Sequence, residues 1–326
     1  MAGRALNLPN ILTYGRIIAV PLVVLCFFVD GRLQSSDFAR WSALAIFAAA
    51  SITDYFDGYL ARAWQQQSNI GRMLDPIADK LLVSTCLLLL AAVMLELFFV
   101  GRIALMAVVA PESTSFQRSE AWRIATEKGD LRWRQQWVPY AQISEHLKRA
   151  VIASEDDGFT SHDGVDWEAI EKAWQKNSKA EEQALRRSSG QAGNLALRPG
   201  ARPPRIVGGS TITQQLAKNL LLSGERTLLR KGQEFVLTMA LELLLPKQRI
   251  LEIYLNSVEW GEGVFGAEAA AQHYYRKSAA KLSPWEAARL AVMLPAPKRF
   301  EKMPASGYLS SRAATITARM GDAVLP

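Results

Sequence analysis

A polar stretch that begins with Gly-Gly-Ser carries side chains whose spacing places them together on a helix. Thr211, Gln215 and Lys218 recur at i, i+4 and i+7 and would share one helical face. Ser210 precedes them as a candidate N-cap, and Asn219 follows Lys218. A hydroxyl, an amide and an ammonium group beside a helix N-terminus suit a negatively charged, oxygen-rich ligand. A solvated helix face would show the same pattern, so this stretch alone does not decide between the two.

Three further blocks combine acids and cations around this stretch. Upstream, EDDGFTSHDG begins at Glu155, which follows an amphipathic segment and precedes a glycine-containing turn. A carboxylate placed there could overhang a cleft and act as a base, with Asp156 as either a competing acid or a structural partner of a helix turn or salt bridge. Downstream, RKGQE begins at Arg230 and KQRILEIYLN begins at Lys247. Arg230 and Glu234 stand one helical turn apart, where a simple ion pair is the alternative to a functional cluster.

In this order, the four blocks resemble the peptidoglycan glycosyltransferases of glycosyltransferase family 51, which polymerise lipid II, and above all the monofunctional, membrane-anchored members. The resemblance extends over about residues 110–326. It implies an inverting transfer that extends a glycan strand from lipid II with release of undecaprenyl diphosphate. The expected partners are lipid II, the growing glycan strand and membrane lipid, with other cell-wall synthases as further candidates.

The same resemblance assigns roles to individual residues. Glu155 would be the catalytic base, and Glu234 would be the second important acid, tied to phosphate or metal. Arg230 and Lys231 would address the diphosphate, with Lys218 also on phosphate. The residues expected to line the donor site are Ser210, Thr211, Gln215, Lys218 and Asn219.

A second acidic pattern lies in the N-terminal part of the chain. Asp54 and Asp57 stand three apart, and Asp75 and Asp79 stand four apart, so each pair would share a helix face and could hold a divalent cation through oxygen ligands. Solvated helix ends are the alternative, although carboxylates at membrane ends are costly without a function.

This pattern, with its small residues and arginine, resembles the CDP-alcohol phosphatidyltransferases, especially phosphatidylglycerophosphate synthases, over about residues 1–100. The resemblance implies that the four aspartates bind divalent metal, Mg²⁺ or Mn²⁺, and that Asp79 is the candidate base. That family uses six membrane helices and three are readable here, so we expect a truncated module with metal-binding capacity and incomplete transferase activity.

The elements that carry these motifs fall into two regions, because the composition changes near residue 110. We predict a transmembrane region over residues 1–109, a connector over 110–135 and a glycosyltransferase domain over 136–326. Spans of about the length of a bilayer crossing are expected at Ile11–Val29, Trp41–Leu60 and Ile77–Phe99. Arginines at the start of the chain and between the second and third spans favour a cytoplasmic N-terminus. The prediction is a multi-pass protein of the bacterial inner membrane with its glycosyltransferase domain in the periplasm.

The fold class predicted is all-α, with N-terminal transmembrane helices followed by a lysozyme-like, mainly helical glycosyltransferase domain. Residues 177–207, rich in Arg, Ser, Gly, Ala and Pro, are expected to form a mobile loop. The helices expected in the second region are Ile143–Ser154, Asp166–Lys176, Thr211–Leu222, Leu229–Leu245, Gln248–Asn256, Phe265–Tyr275 and Pro284–Met293.

Charge and composition argue against several other functions and kinds of site. The net charge of +7 is spread along the chain and forms no stripe for nucleic acid; we expect contact with anionic lipid and diphosphate instead. The two cysteines lie in apolar runs and the three histidines are scattered, so neither a disulfide nor a zinc site is predicted. A lysozyme-like hydrolase and an inactive membrane-anchored scaffold are the other readings, but hydrolysis offers no diphosphate for the cations near Glu234.

Overall fold

The computed structural model describes residues 8–29, 42–53, 69–129, 132–189, 209–222 and 228–326. The chain forms two compact units, Met1–Phe98 and Phe99–Pro326. The first unit contains α1 (Leu8–Val29), α2 (Ser42–Thr53) and most of α3 (Asn69–Leu105).

In the first unit, small and aliphatic residues bring the three helices together. Ala19 of α1, Ala50 of α2 and Leu82 of α3 form one buried cluster. Across the described part of the chain, one segment, Pro76–Leu105, is long and apolar enough to cross a membrane. Helices cover the first and third predicted spans and residues 42–53 of the second, whereas the number of crossings stays a prediction.

The second unit combines helices with a small three-stranded sheet. The strands are β1 (Arg134–Gln135), β2 (Glu259–Gly261) and β3 (Val264–Phe265), in the order β1–β3–β2. β1 runs parallel to β3, and β2 runs antiparallel to it. The helices of this unit are α4 (Ser115–Lys128), α5 (Glu145–Glu155), α6 (Trp167–Ser189), α7 (Ile212–Leu221), α8 (Leu228–Leu244), α9 (Lys247–Ser257), α10 (Ala267–Tyr275), α11 (Pro284–Met293), α12 (Pro297–Glu301) and α13 (Gly307–Arg319).

The core of the second unit is built from the apolar faces of these helices. Leu147 of α5, Leu216 of α7 and Leu251 of α9 are almost completely buried in one cluster, together with Trp260 of β2. α11 packs against α5 and α13. The mainly helical class predicted from the sequence is confirmed, with only short strands among the described residues.

The expected connector over residues 110–135 contains a helix that the sequence reading missed. A capping box begins α4. The Thr114 hydroxyl accepts a hydrogen bond from the backbone N–H of Gln117, and the Gln117 side-chain oxygen accepts one from the backbone N–H of Thr114. Gln117 also donates to the Ser257 carbonyl at 3.2 Å, and Ile124 is buried. α4 is thus tied to the helical core.

The expected mobile loop over residues 177–207 is wrong for its first part, since α6 continues to Ser189. The physical reason is that Lys, Ala, Glu, Gln, Leu and Arg, all good helix formers, dominate residues 179–187, while Gly and Pro occur only later. Averaging over the whole stretch obscured this change. Residues 190–208 lie outside the described ranges.

Candidate active site

Glu155 is the last residue of α5, and its carboxylate is held by a chain of two hydrogen bonds. The Gln215 side-chain amide donates to Glu155 Oε2 at 3.1 Å. The buried Tyr254 hydroxyl donates to Gln215 Oε1 at 2.9 Å, which fixes the orientation of that amide. Burial raises the pKa of Glu155, and the bond from Gln215 partly opposes that rise. A carboxylate with a raised pKa is suited to accept a proton near neutral pH.

Asp156, the neighbouring acid, is buried and fully engaged in structure. Its Oδ2 accepts from the backbone N–H of Ile212 at 2.9 Å, at the start of α7. Its Oδ1 lies 2.8 Å from His162 Nε2, while His162 Nδ1 accepts from Gly164 N–H at 3.1 Å. The imidazole therefore donates to Asp156 through Nε2. Of the two alternatives left open for Asp156, the structure supports the helix-turn partner.

Thr211, rather than Ser210, is the N-cap of α7. Its hydroxyl accepts from the Gln214 N–H at 3.2 Å and donates to the Gly164 carbonyl at 2.6 Å. The expectation that Ser210 caps the helix is wrong, because the helix begins one residue later and a Thr-x-x-Gln capping box forms there. Thr211 is buried, whereas Ser210 is exposed.

The turn that follows Glu155 is locked against α8 and α9. Gly164 has φ of +84°, and a Cβ there would lie 2.8 Å from both the Thr238 methyl carbon and Glu242 Cγ. Glu242 in turn accepts from the Thr213 hydroxyl at 2.6 Å and from the Lys247 ammonium at 2.8 Å. Residues of α7, α8 and α9 thus meet at this turn.

A cavity of about 490 Å³ lies beside these contacts and gathers most of the predicted donor-site residues. Gln215 lines this cavity and also bonds Glu155, so the acid and the cavity share one side chain. The predicted residues that line it are Ser210, Gln215, Lys218, Asn219, Arg230, Lys231 and Glu234. Thr211 lies beside them in sequence and serves as the helix cap.

The cationic wall of the cavity comes from the first turns of α8. Arg230 Nη1 lies 3.2 Å from Glu234 Oε2, and Lys231 forms a close ion pair with the other oxygen of the same carboxylate. Glu234 is buried, with a side chain 5% exposed, while that of Lys231 is 55% exposed. The ion pair considered as an alternative does form, and it lies inside the cavity. Glu234 therefore positions two cations along one wall.

Glu259 is a cavity residue that the sequence reading missed. It is the first residue of β2 and is 6% exposed. Burial raises its pKa to about 7, and the opposing effect of Lys298 is smaller. The available signal was a carboxylate placed between the apolar residues Val258 and Trp260, in a segment without strand alternation.

The predicted metal ligands of the N-terminal unit are only partly described. Asp54 and Asp57 lie outside the described ranges, and Asp75 lies in α3 without a described side chain. Asp79 is partly exposed on the same helix. Within the described ranges, no three His, Cys, Asp or Glu side chains converge in a way that could hold a metal ion. The metal site stays a prediction.

Comparison with known proteins separates the two regions. A family model described as Transglycosylase matches residues 123–190 and 196–321. A model described as CDP-alcohol phosphatidyltransferase matches residues 6–126.

Curated relatives resemble the larger region. A biosynthetic peptidoglycan transglycosylase of Burkholderia orbicola is 50% identical over 231 residues, which cover 71% of this chain and 85% of the relative. One of Burkholderia thailandensis is 51% identical and covered to 82%. A third, of Burkholderia lata, is 50% identical and covered to 85%.

Proposed function

The chain belongs to the Transglycosylase family, and we propose that it is a membrane-anchored peptidoglycan glycosyltransferase that polymerises lipid II into glycan strands with release of undecaprenyl diphosphate. The observation that carries the proposal is the position of Gln215, which bonds Glu155 and lines the cation-rich cavity. An acid and an anion-binding wall that share one side chain are suited to act on the same glycosidic bond.

The reaction begins at Glu155. Its carboxylate takes the proton from a sugar hydroxyl as the oxygen attacks the anomeric carbon of the second substrate. A carbon–oxygen bond forms on one face while the bond to the lipid diphosphate breaks on the other, so the configuration inverts. The raised pKa of Glu155 makes it a better proton acceptor than an exposed glutamate, provided that it is ionised at the working pH.

The leaving group is stabilised by the cations of the cavity. Lys218, Arg230 and Lys231 place positive charge where the departing diphosphate accumulates negative charge. Glu234 holds Arg230 and Lys231 through its two oxygens and has an auxiliary role. A divalent ion, Mg²⁺ or Mn²⁺, would add charge neutralisation to the same diphosphate when bound.

The proposal is tested with the purified full chain in detergent and labelled lipid II. We expect a glycan polymer that lysozyme digests, formed together with undecaprenyl diphosphate. Cleavage of preformed glycan without polymer formation would instead support a hydrolase. Absence of both products from folded protein would contradict the assignment.

We also propose where the enzyme works. The apolar segment Pro76–Leu105 supports membrane attachment, and the polymerised substrate carries a lipid tail. A multi-pass anchor in the inner membrane, with the glycosyltransferase domain in the periplasm, would present the cavity to membrane-bound lipid II. Other cell-wall synthases are proposed partners at that site.

A second candidate activity is supported by the family match of residues 6–126. It is phosphatidyl transfer from a CDP-activated lipid, with Asp54, Asp57, Asp75 and Asp79 as proposed metal ligands. Release of CMP from CDP-diacylglycerol in the presence of glycerol 3-phosphate and Mg²⁺ or Mn²⁺ would support it. Because three membrane helices are predicted where that family uses six, we expect no CMP release.

A further inference from the structure

The strand β2 contributes to the wall of the active-site cavity a carboxyl group that the proposed mechanism does not use. Glu259 lines the same cavity as Gln215 and Lys218. Its side chain is 7% exposed. Its Oε1 is enclosed and lies 3.4 Å from the Lys298 ammonium, without a well-formed hydrogen bond among the described residues. A buried carboxyl group at a cavity wall, with one long ion pair among the described residues, keeps hydrogen-bonding capacity that a ligand can complete.

The charges around Glu259 favour its neutral form. Lys298 of α12 is the cation in contact with it, with Nζ 3.4 Å from Oε1. Lys298 is closer to Glu120 of α4, which also pairs with Arg123 at 2.9 Å. Tyr274 of α10 donates its hydroxyl to the Trp260 carbonyl and is neutral at physiological pH, since burial raises its pKa. Glu120 therefore takes up most of the lysine charge, and Glu259 is left in a buried site with little compensation.

The groups on the cavity side bear on the same ionisation. Lys218, Arg230 and Lys231 are positive, and Glu234 is negative and paired with two of them. When a diphosphate enters, its negative charge adds to that of Glu234 and further disfavours an ionised carboxylate nearby. A neutral carboxylic acid, in contrast, offers an O–H donor to an anionic oxygen.

We propose that Glu259 is a substrate-binding residue whose neutral carboxylic acid donates a hydrogen bond from β2 to an oxygen of the sugar diphosphate in the cavity. This inference rests on the proposed function, because it requires a diphosphate diester as the ligand. Ionisation of Glu259 removes the donor and introduces a charge that repels the ligand. Substrate affinity is therefore lost as the pH rises through the pKa of Glu259, which lies at about 7 in the absence of ligand.

The chemistry of the substrate makes the effect separable. Both phosphates of a lipid-linked diphosphate sugar are esterified, so the diphosphate stays fully ionised across neutral pH. A loss of affinity between pH 6 and pH 8.5 that depends on residue 259 thus reports this one carboxyl group.

The test measures binding rather than turnover. The dissociation constant of lipid II is determined from pH 6 to 8.5 for full-length Glu155→Gln in detergent and for the same chain with Glu259→Gln added. Glutamine keeps an N–H donor and cannot ionise. We expect the first protein to lose affinity by about tenfold for each pH unit above 7, up to the pKa of the bound state, because only the neutral fraction binds. We expect the second to bind with nearly constant affinity.

Glu262→Gln provides the matched control. Glu262 lies on the same hairpin but pairs with Lys128 and Arg123, and hydrogen bonds chiefly from Lys128 lower its pKa. Its removal in the Glu155→Gln background should leave the pH dependence of binding unchanged. Identical pH curves for the proteins with and without Glu259 would overturn the inference. Failure of the Glu155→Gln protein to bind lipid II at any pH, with folding verified by circular dichroism, would instead count against the proposed function.

Discussion

Glu155 and Asp156 are consecutive acids whose surroundings give them different tasks. Asp156 accepts from Ile212 N–H and from His162, so both of its oxygens are occupied by the fold. Glu155 has a side-chain amide as its partner, and burial raises its pKa. One peptide unit thus separates an acid that ties two helices together from an acid that is available for proton transfer.

Tyr254→Phe tests how Glu155 is tuned. Loss of the hydroxyl leaves Gln215 without the partner that fixes its amide, and the bond to the Glu155 carboxylate weakens. That bond favours the ionised form, so its weakening should raise the pKa of Glu155 further. Glu155 must be ionised to act as a base, and the acid limb of the pH–rate profile should therefore move to higher pH, by about one unit or less.

The measurement is the rate of lipid II polymerisation from pH 4.5 to 9. Tyr308→Phe, at a half-exposed ring stacked on Phe300, is the control and should leave the profile in place. An unchanged acid limb in Tyr254→Phe would show that Gln215 does not tune the base.

The ionisation of Glu259 should also make the free energy of unfolding depend on pH. Its pKa is raised from 4.5 to about 7 in the folded chain, so the folded state binds more protons than the unfolded state between these values. Stability therefore falls as the pH rises from about 4.5 to about 7. Glu259→Gln lacks this loss and should gain on the parent by up to roughly 3 kcal/mol over that range. Thermal unfolding of both proteins at each pH measures the difference; an equal pH dependence would contradict it.

At the level of single residues, the sequence predicted the cations of the cavity better than the buried and capping residues around them. Lys218, Arg230 and Lys231 were recognisable because their spacing and the glycosyltransferase motifs agree. Glu259 was not, since its importance arises from burial and from the charges that α4 and α12 bring beside it. Thr211 shows the same limit, because a shift of one residue in a helix start changes a candidate ligand contact into a cap.

The elements around the site are coupled through the turn after α5. Thr211 at the start of α7 donates to Gly164, and Lys247 at the start of α9 donates to the His162 carbonyl at 2.6 Å. Glu242 of α8 joins the same network. The position of Glu155 relative to the cavity therefore depends on several helix ends at once.

Gly164→Ala should disturb this arrangement. The positive φ is unfavourable for alanine, and the new Cβ would press on Thr238 and Glu242 of α8. We expect a loss of roughly 1–3 kcal/mol in stability and a reduced polymerisation rate. Gly232→Ala is the matched control, since a Cβ added at Gly232 in α8 would have nothing within 4 Å. Alanine there should raise stability by about 0.5–1 kcal/mol through helix propensity. Melting temperatures that move in the same direction for both variants would argue against the tight packing at Gly164.

Helices with strong periodicity were predicted almost to the residue, as for Pro284–Met293, while α4 and the extension of α6 were not. α4 alternates polar and apolar residues irregularly, and what fixes it is a buried capping box and a contact to Ser257. α6 carries many charged residues, and only its helix propensity indicates its length. Long-range contacts thus fix α4, and local helix propensity extends α6, where the composition of each stretch had favoured a connector or a loop.

At the scale of the molecule, the proposed function requires both regions to act at one membrane. The first unit holds most of the apolar segment Pro76–Leu105, and the second holds the cavity. If the predicted topology is correct, the second unit lies in the periplasm.

Labelling of a single cysteine tests the topology. Ser310 is exposed on α13 and is replaced by cysteine in a chain whose Cys26 and Cys86 are changed to alanine. A membrane-impermeant maleimide should label this residue in cells with a permeabilised outer membrane and an intact inner membrane. A cysteine at position 2, next to the N-terminus, is the control and should react only after lysis. The reverse pattern would place the cavity on the cytoplasmic side.

In the mechanism we propose, Glu155 accepts the proton while the nearby cations hold the diphosphate. Its most direct test is Glu155→Gln, measured for lipid II binding and for the polymerisation rate in the same preparation. We predict that binding is kept within a few-fold and that the rate falls by about 10²–10⁴-fold, the usual contribution of a general base. Polymerisation by the folded variant at the parent rate would contradict the account.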